Sequence, residues 1–155
     1  MFEQALIEYL IEFHAKRDYF ECHEVLEERW KEDLKENRQL YWVALIQVAV
    51  GAYHYRRENW SGAKKMFERV ILKIKATEEQ LEQLGIQVTM LIPLIQDQID
   101  RIEKKVPYES INLPLSEPLM NNCLMYCKSR NIVFLQKSDL TDYYLLNKHR
   151  LRTRD

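Results

Sequence analysis

Two ionisable side chains between Arg17 and Trp30 lie where a helix of this composition is otherwise apolar. A helix turns by about 100° per residue, which places His23 and Glu27 on one apolar face. The other members of that face are Phe20, Leu26, Trp30 and Leu34. A carboxylate that is buried without a partner is strongly destabilising. The spacing therefore predicts an internal site at which Glu27 is satisfied by a proton, an arginine, a histidine or a metal ion.

The next apolar stretch, Leu40 to Tyr55, carries a second set of polar residues. Gln47 and His54 are seven residues apart and share one face, with Gly51 between them. Glycine inside a helix costs about 1 kcal/mol relative to alanine, so another element, most naturally the preceding helix, is expected to approach Gly51 closely. Antiparallel packing of the two helices would bring the polar side chains together. The expected cluster is His23, Glu27, Gln47 and His54, with Arg17 or His14 near its rim.

Three kinds of site fit this cluster. The first is a closed hydrogen-bond network that fixes the register of the helices. The second is a divalent metal site for zinc or iron, with His23, Glu27 and His54 as ligands and Glu24 or water completing the shell. The third is an acid–base site in which Glu27 and a histidine titrate near neutral pH. Because Glu27 stands where a zinc protease helix carries its second histidine, the spacing leaves open whether the protein is an enzyme.

Two segments, FHAKRDYFECHEVLEERWKE and YWVALIQVAVGAYHYRRENWSGAKKMFERV, resemble a family of small helical proteins known as domain of unknown function 309. The resemblance extends from about Leu6 to Ile74. It implies an all-α bundle and no established activity. Glu58 stands where relatives often have glycine, which indicates a different turn at that point. The positions that match the family's pattern are His23, Glu24, Glu27, Trp30, Gln47, His54, Asn59, Gly62 and Ala63.

A weaker resemblance concerns GAYHYRRENWSGAKKMFERVI, which is similar to the junction between tetratricopeptide repeats. Arrays of such repeats bind partner peptides in a groove, but they need about three repeats of about 34 residues. Only one such junction is found in the sequence. The preferred interpretation is a binding or scaffold protein. The alternatives are a metal-dependent hydrolase and a tetratricopeptide-like interaction module.

The composition favours a helical protein of the cytoplasm. The chain has only 3 Gly and 4 Pro among 155 residues, and 23 basic against 24 acidic residues give a formal charge of −1. No nucleic acid or membrane partner is therefore expected, and the basic end after Asn147 is interpreted as solvated. The three cysteines show no metal-binding spacing, and the acidic start has no leader pattern. Aromatic-rich helices make a homodimer plausible, whereas no other protein partner is indicated.

The apolar periodicity predicts an all-α fold, a compact antiparallel bundle of about five core helices around a central buried helix at about 38–57. Residues 1–105 are expected to form the bundle and residues 106–155 a C-terminal extension packed on it. Pro93 is tolerated only in the first turn of its helix. The predicted elements are helices at about 2–16, 19–34, 40–55, 60–84 and 89–105, a strap at 106–115, a helix at 116–130, an extended run at 132–135 and a helix at 138–149.

Overall fold

The computed structural model describes residues 2–148, and within this range the chain forms helices and no β-strand. An isolated antiparallel bridge joins Ile86 to Leu115. The prediction of an all-α bundle is confirmed. No helix within the described range is long and apolar enough to cross a membrane. The helices are α1 Gln4–Ile11, α2 Tyr19–Glu32, α3 Leu40–Arg56, α4 Trp60–Ala76, α5 Glu78–Leu84, α6 Val88–Glu103, α7 Glu117–Ser129 and α8 Tyr143–Leu146.

A π-helical turn, Glu12–Lys16, extends α1 and leads towards α2. Arg17 ends this turn with a left-handed backbone, at φ 52°. The Asp18 carboxylate then accepts a hydrogen bond from the Glu21 amide at 3.0 Å and caps the amino end of α2. As the sequence predicted, the chain reverses near Asp18 and α2 packs against α1.

Stacked arginines mark both ends of an antiparallel hairpin formed by α2 and α3. The guanidinium carbon of Arg56 lies 4.5 Å from the centre of the Tyr19 ring, and that of Arg29 lies 5.5 Å from Trp42. Most side chains of α3 are buried, because α3 packs against both α2 and α4. It is the central helix that the sequence predicted.

The turn between α3 and α4 explains the Asn-x-x-Gly-Ala pattern. Asn59 Oδ1 accepts a hydrogen bond from the Gly62 amide at 3.1 Å and caps α4. A Cβ atom on Gly62 would lie 2.5 Å from Asn59 Nδ2, so glycine leaves room for the capping side chain. Ala63 is fully buried. Glu58 precedes the cap with φ 62°, a left-handed conformation that favours glycine.

The close approach predicted at Gly51 comes from α4 rather than from α2. A Cβ atom on Gly51 would lie 2.7 Å from Cε1 of Phe67, whose ring is fully buried. Gly51 lies about 180° around α3 from Trp42, the residue that contacts Arg29 of α2. The glycine therefore indicated a real contact, but the predicted partner helix was wrong.

The long helix predicted after Asn59 is divided at Thr77 into α4 and α5. Thr77 Oγ1 donates a hydrogen bond to the Lys73 carbonyl at 2.7 Å, a local bond that competes with the regular helical pattern. Gly85 ends α5 with φ 98°. Because α6 begins at Val88, Pro93 is its sixth residue and lies in the second turn, contrary to the prediction.

The C-terminal extension starts as the predicted strap and continues into α7. Residues 132–135 form no strand, and the last predicted helix is reduced to α8. α8 begins after Asp142 because that carboxylate accepts a hydrogen bond from the Leu145 amide at 3.0 Å. The division into residues 1–105 and 106–155 stays a prediction. The predicted helix end and the last basic residues lie outside the described range, and these are His149, Arg150, Arg152 and Arg154.

His14 on the π-helical turn connects the bundle to the strap by a hydrogen bond. Its Nε2 accepts a hydrogen bond from the Leu113 amide at 2.9 Å, and its Nδ1 lies 2.8 Å from the Leu10 carbonyl. Because the amide only donates and the carbonyl only accepts, the ring is the neutral tautomer with its proton on Nδ1. Burial is the main cause that lowers the pKa of His14 to about 4.

Candidate functional site

The buried face of α2 differs from the face predicted for it. Tyr19, Cys22 and Leu26 are fully buried, whereas the side chains of His23 and Glu27 are each 34% exposed. The prediction of an internal position for His23 and Glu27 is therefore wrong. The predicted face and the observed face of α2 share Leu26. Packing against α1 buries the face that carries Cys22, whose Sγ donates to the Tyr9 carbonyl at 3.5 Å.

His23 lies between two carboxylates on the surface of α2. Its Nε2 is 3.1 Å from Glu27 Oε2, and its Nδ1 is 3.7 Å from Glu24 Oε1. Lys31 Nζ lies 2.9 Å from the other oxygen of Glu27. Hydrogen bonding to Lys31 is the largest effect that lowers the pKa of Glu27, and the charge of His23 adds to it. His23, Glu27 and Lys31 therefore form a row of ionisable side chains on the surface of α2, each one helical turn from the next.

His54 of α3 contacts the residue that caps α4, whereas Gln47 of α3 has a buried oxygen without a partner among the described residues. Asn59 Nδ2 donates a hydrogen bond to His54 Nδ1 at 3.3 Å. Burial, and then the nearby charge of Arg57, lower the pKa of His54, which keeps the ring neutral at pH 7. Gln47 Oε1 is buried and has no hydrogen-bond partner in the described part of the chain. Within that part, no hydrogen bond or ion pair joins His54 to His23.

The geometry of the described residues gives no support to the predicted zinc or iron site. Within residues 2–148, no three His, Cys, Asp or Glu side chains are grouped so that they could hold a metal ion. Both ring nitrogens of His23 face carboxylates, and His54 lies near the positive charge of Arg57. A metal site formed by His23, Glu27 and His54 therefore stays a prediction without structural support.

Arg17 lies in the interior and points towards the C-terminal extension. It is 2% exposed. Its Nε donates to the Gln136 carbonyl at 2.5 Å, its Nη2 donates to Asn112 Oδ1 at 2.7 Å, and its Nη1 donates to the Ile111 carbonyl. The prediction that Arg17 lies at the rim of an α2–α3 cluster is therefore wrong.

A partly buried polar network that no sequence pattern indicated joins four parts of the chain. Tyr19, Arg56, Tyr108, Ser110 and Ser138 come from α2, α3, the strap and the C-terminal segment. The one available signal was a charged residue, Arg56, at the end of an otherwise apolar helix. No spacing rule connects residues that are separated by about a hundred positions.

A shallow depression of about 400 Å³ lies on the outer surface of α2. Four carboxylates and one ammonium group line it, together with one apolar side chain, so its lining carries a net negative charge. Two members of the family pattern, Glu24 and Glu27, belong to this surface. The lining residues are Glu21, Glu24, Val25, Glu27, Glu28 and Lys31.

The fold and this surface define a small all-α protein with an acidic helix on the outside of a central hairpin. The family model described as "Domain of unknown function (DUF309)" matches residues 6–66, a range that begins within α1, includes α2 and α3, and ends within α4. The chain is 44% identical over 155 residues to the uncharacterized protein YpuF of Bacillus subtilis (strain 168), with 99% of this chain and 89% of YpuF covered. The chain therefore belongs to the DUF309 family. No solved structure matches the chain.

Proposed function

We propose that this protein is a binding protein whose α2 surface receives a basic segment of a partner protein. The observation that carries the proposal is the depression of about 400 Å³ with its four carboxylates. Carboxylates only accept hydrogen bonds, so the complementary groups are lysine or arginine side chains. Val25, which is half-buried, offers an apolar contact for the stem of a long basic side chain.

Glu24 and Glu28 are the groups that a partner would meet first. Glu27 is already paired with His23 and Lys31, at 3.1 Å and 2.9 Å. Glu28 is exposed, and the Glu24 side chain is 44% exposed. The two glutamates are one helical turn apart, which matches two basic residues at the same spacing on a partner helix.

The lowered pKa and the exposure of Glu27 favour a binding role over acid–base catalysis. A general base works best when its pKa lies near the working pH, but Lys31 and His23 lower the pKa of Glu27. The Glu27 side chain is also about one third exposed, so water would not be excluded from a group reacting there. The tetratricopeptide-like alternative stays a prediction that no observation favours.

The test uses a fluorescein-labelled, alanine-based helical peptide with two lysines four residues apart. Its affinity for the full-length protein is measured by fluorescence anisotropy at constant low ionic strength. We expect the double variant Glu24→Gln/Glu28→Gln to bind about fivefold more weakly, which corresponds to two lost surface ion pairs. A peptide with glutamine in place of both lysines provides the ligand control.

A matched control variant distinguishes the effect of this surface on binding from the effect of the protein's overall charge. The variant Glu68→Gln/Glu79→Gln removes the same number of charges from exposed positions on α4 and α5. It should bind the lysine peptide like the natural protein. Equal weakening in both double variants, or equal binding of the lysine and glutamine peptides, would refute the proposed surface.

A further inference from the structure

Among residues 2–148, two buried cations lie without a counter-charge where the strap meets the C-terminal segment. Arg17 and Arg56 are 2% and 6% exposed. Arg56 Nη1 donates to the Arg17 carbonyl at 2.6 Å and to Ser138 Oγ at 3.3 Å, and Nη2 donates to the Leu145 carbonyl at 3.4 Å. Its Nε is buried without an acceptor in the described part of the chain. In residues 2–148 neither guanidinium forms an ion pair.

A buried charge normally has an opposite charge nearby, because removing it from water is costly. Neutral oxygens and the ring of Tyr19 compensate the charge of Arg56 only in part. The positive field of Arg56 acts on Ser138, whose hydroxyl it contacts. This position therefore favours an anionic ligand over a neutral or cationic one.

A pocket of about 390 Å³ opens beside Ser138. The Tyr108 hydroxyl lies 2.6 Å from Ser138 Oγ and 3.2 Å from Ser110 Oγ, and Ser110 Oγ accepts a hydrogen bond from the Ser138 amide at 2.9 Å. Glu109 also lines the pocket and has an 80% exposed side chain. Its carboxylate lies 3.8 Å from the guanidinium of Arg101, which partly compensates its negative charge. The lining residues are Tyr108, Glu109, Ser110, Lys137, Ser138 and Leu140.

We propose that this pocket binds a phosphate group, with the Ser110 and Ser138 hydroxyls and the Lys137 ammonium as donors and Arg56 behind Ser138. Phosphate oxygens only accept hydrogen bonds, and each of these groups carries a donor. The Ser110 hydroxyl donates to Ser138 Oγ at 3.1 Å and has to rotate to donate to the ligand. The volume also accommodates a small organic group beside Leu140. Free phosphate and a small phosphomonoester share this chemistry.

Isothermal titration calorimetry of the full chain at fixed ionic strength tests the site with inorganic phosphate, glycerol 2-phosphate and glycerol. We expect saturable binding of phosphate-bearing probes and none of glycerol. Tighter binding of glycerol 2-phosphate identifies an ester as the ligand class, whereas binding of inorganic phosphate alone identifies the free anion. Absence of binding by both phosphates would overturn the proposal.

Lys137→Gln is the decisive variant, because Lys137 is exposed and its replacement leaves the core intact. It should weaken phosphate binding about tenfold, as expected for one charge-assisted hydrogen bond. Ser110→Ala should weaken it as well. Lys128→Gln on α7 removes an equal charge from another exposed site and should change the affinity by less than about twofold. Equal effects of Lys137→Gln and Lys128→Gln would overturn the proposed position.

Discussion

At the scale of single residues, His14 connects the start of the chain with the strap. Its ring is fully buried, packs 5.0 Å from Phe134 and has a hydrogen-bond partner at each nitrogen. A protonated ring would present a second N–H to the Leu113 amide, where it needs an acceptor. The neutral form is therefore part of the folded structure.

Protonation of His14 should destabilise the protein at acidic pH. The pKa is about 6.5 in the unfolded chain and about 4 in the folded protein, so the unfolded chain binds the proton first as the pH falls. The stabilising contribution is complete above pH 6.5 and is lost between pH 6.5 and 4. The difference between the two pKa values corresponds to about 3 kcal/mol.

Urea denaturation at several pH values between 7 and 4 measures this loss. His14→Gln keeps a donor and an acceptor but does not titrate. The free energy of unfolding of this variant should fall less steeply over the same range. Parallel curves for the natural protein and His14→Gln would contradict the assignment.

At the scale of elements, the α3–α4 turn depends on a residue with an unfavourable backbone. Glu58 has φ 62°, and the resemblance to the family had pointed to glycine at this position. Its amide donates to the Tyr55 carbonyl at 2.9 Å, which holds the conformation. Because Glu58 carries a Cβ atom, this left-handed backbone conformation is strained.

Glu58→Gly should therefore stabilise the protein by up to about 1 kcal/mol, because glycine adopts the left-handed conformation without a Cβ penalty. Glu58→Ala removes the same charge but keeps the Cβ atom, so it serves as the matched control. Urea denaturation at pH 7 compares the two. A stability of Glu58→Gly below that of Glu58→Ala would show that the left-handed turn is not a source of strain.

Gly51→Ala tests the contact between α3 and α4. The added Cβ atom would meet the Phe67 ring at 2.7 Å, so we expect a loss of about 1–3 kcal/mol from overpacking. Phe67→Leu should restore part of the stability in the double variant. If thermal denaturation gives Gly51→Ala the same melting temperature as the natural protein, the Phe67 ring moves aside at little cost.

At the scale of the whole molecule, exposed apolar side chains are concentrated in the C-terminal extension. Seven of the eleven exposed large hydrophobic side chains in residues 2–148 belong to it. Exposed apolar surface of this kind is typical of an interface. These side chains are Leu124, Met125, Val133, Leu135, Leu140, Tyr143 and Tyr144.

The predicted homodimer can therefore be tested at this surface. Size-exclusion chromatography with light scattering should give twice the chain mass of 18.8 kDa. The exposed residues Val133 and Tyr143 are the positions to change, and Val133→Asp/Tyr143→Ser should shift the mass towards the monomer. Lys104→Ser/Glu117→Ser provides a control at other exposed positions. A monomer mass for the natural protein at all concentrations would reject the dimer.

The sequence by itself determined where most helices lie, because apolar periodicity and caps such as Asp18 and Asn59 act over a few residues. The tertiary structure decided which face of each helix is buried. His23 and Glu27 became a surface pair because α1 packs beside Cys22. The buried network around Arg56 also arose only in the folded chain, since contacts between positions 56 and 138 leave no periodic trace in the sequence.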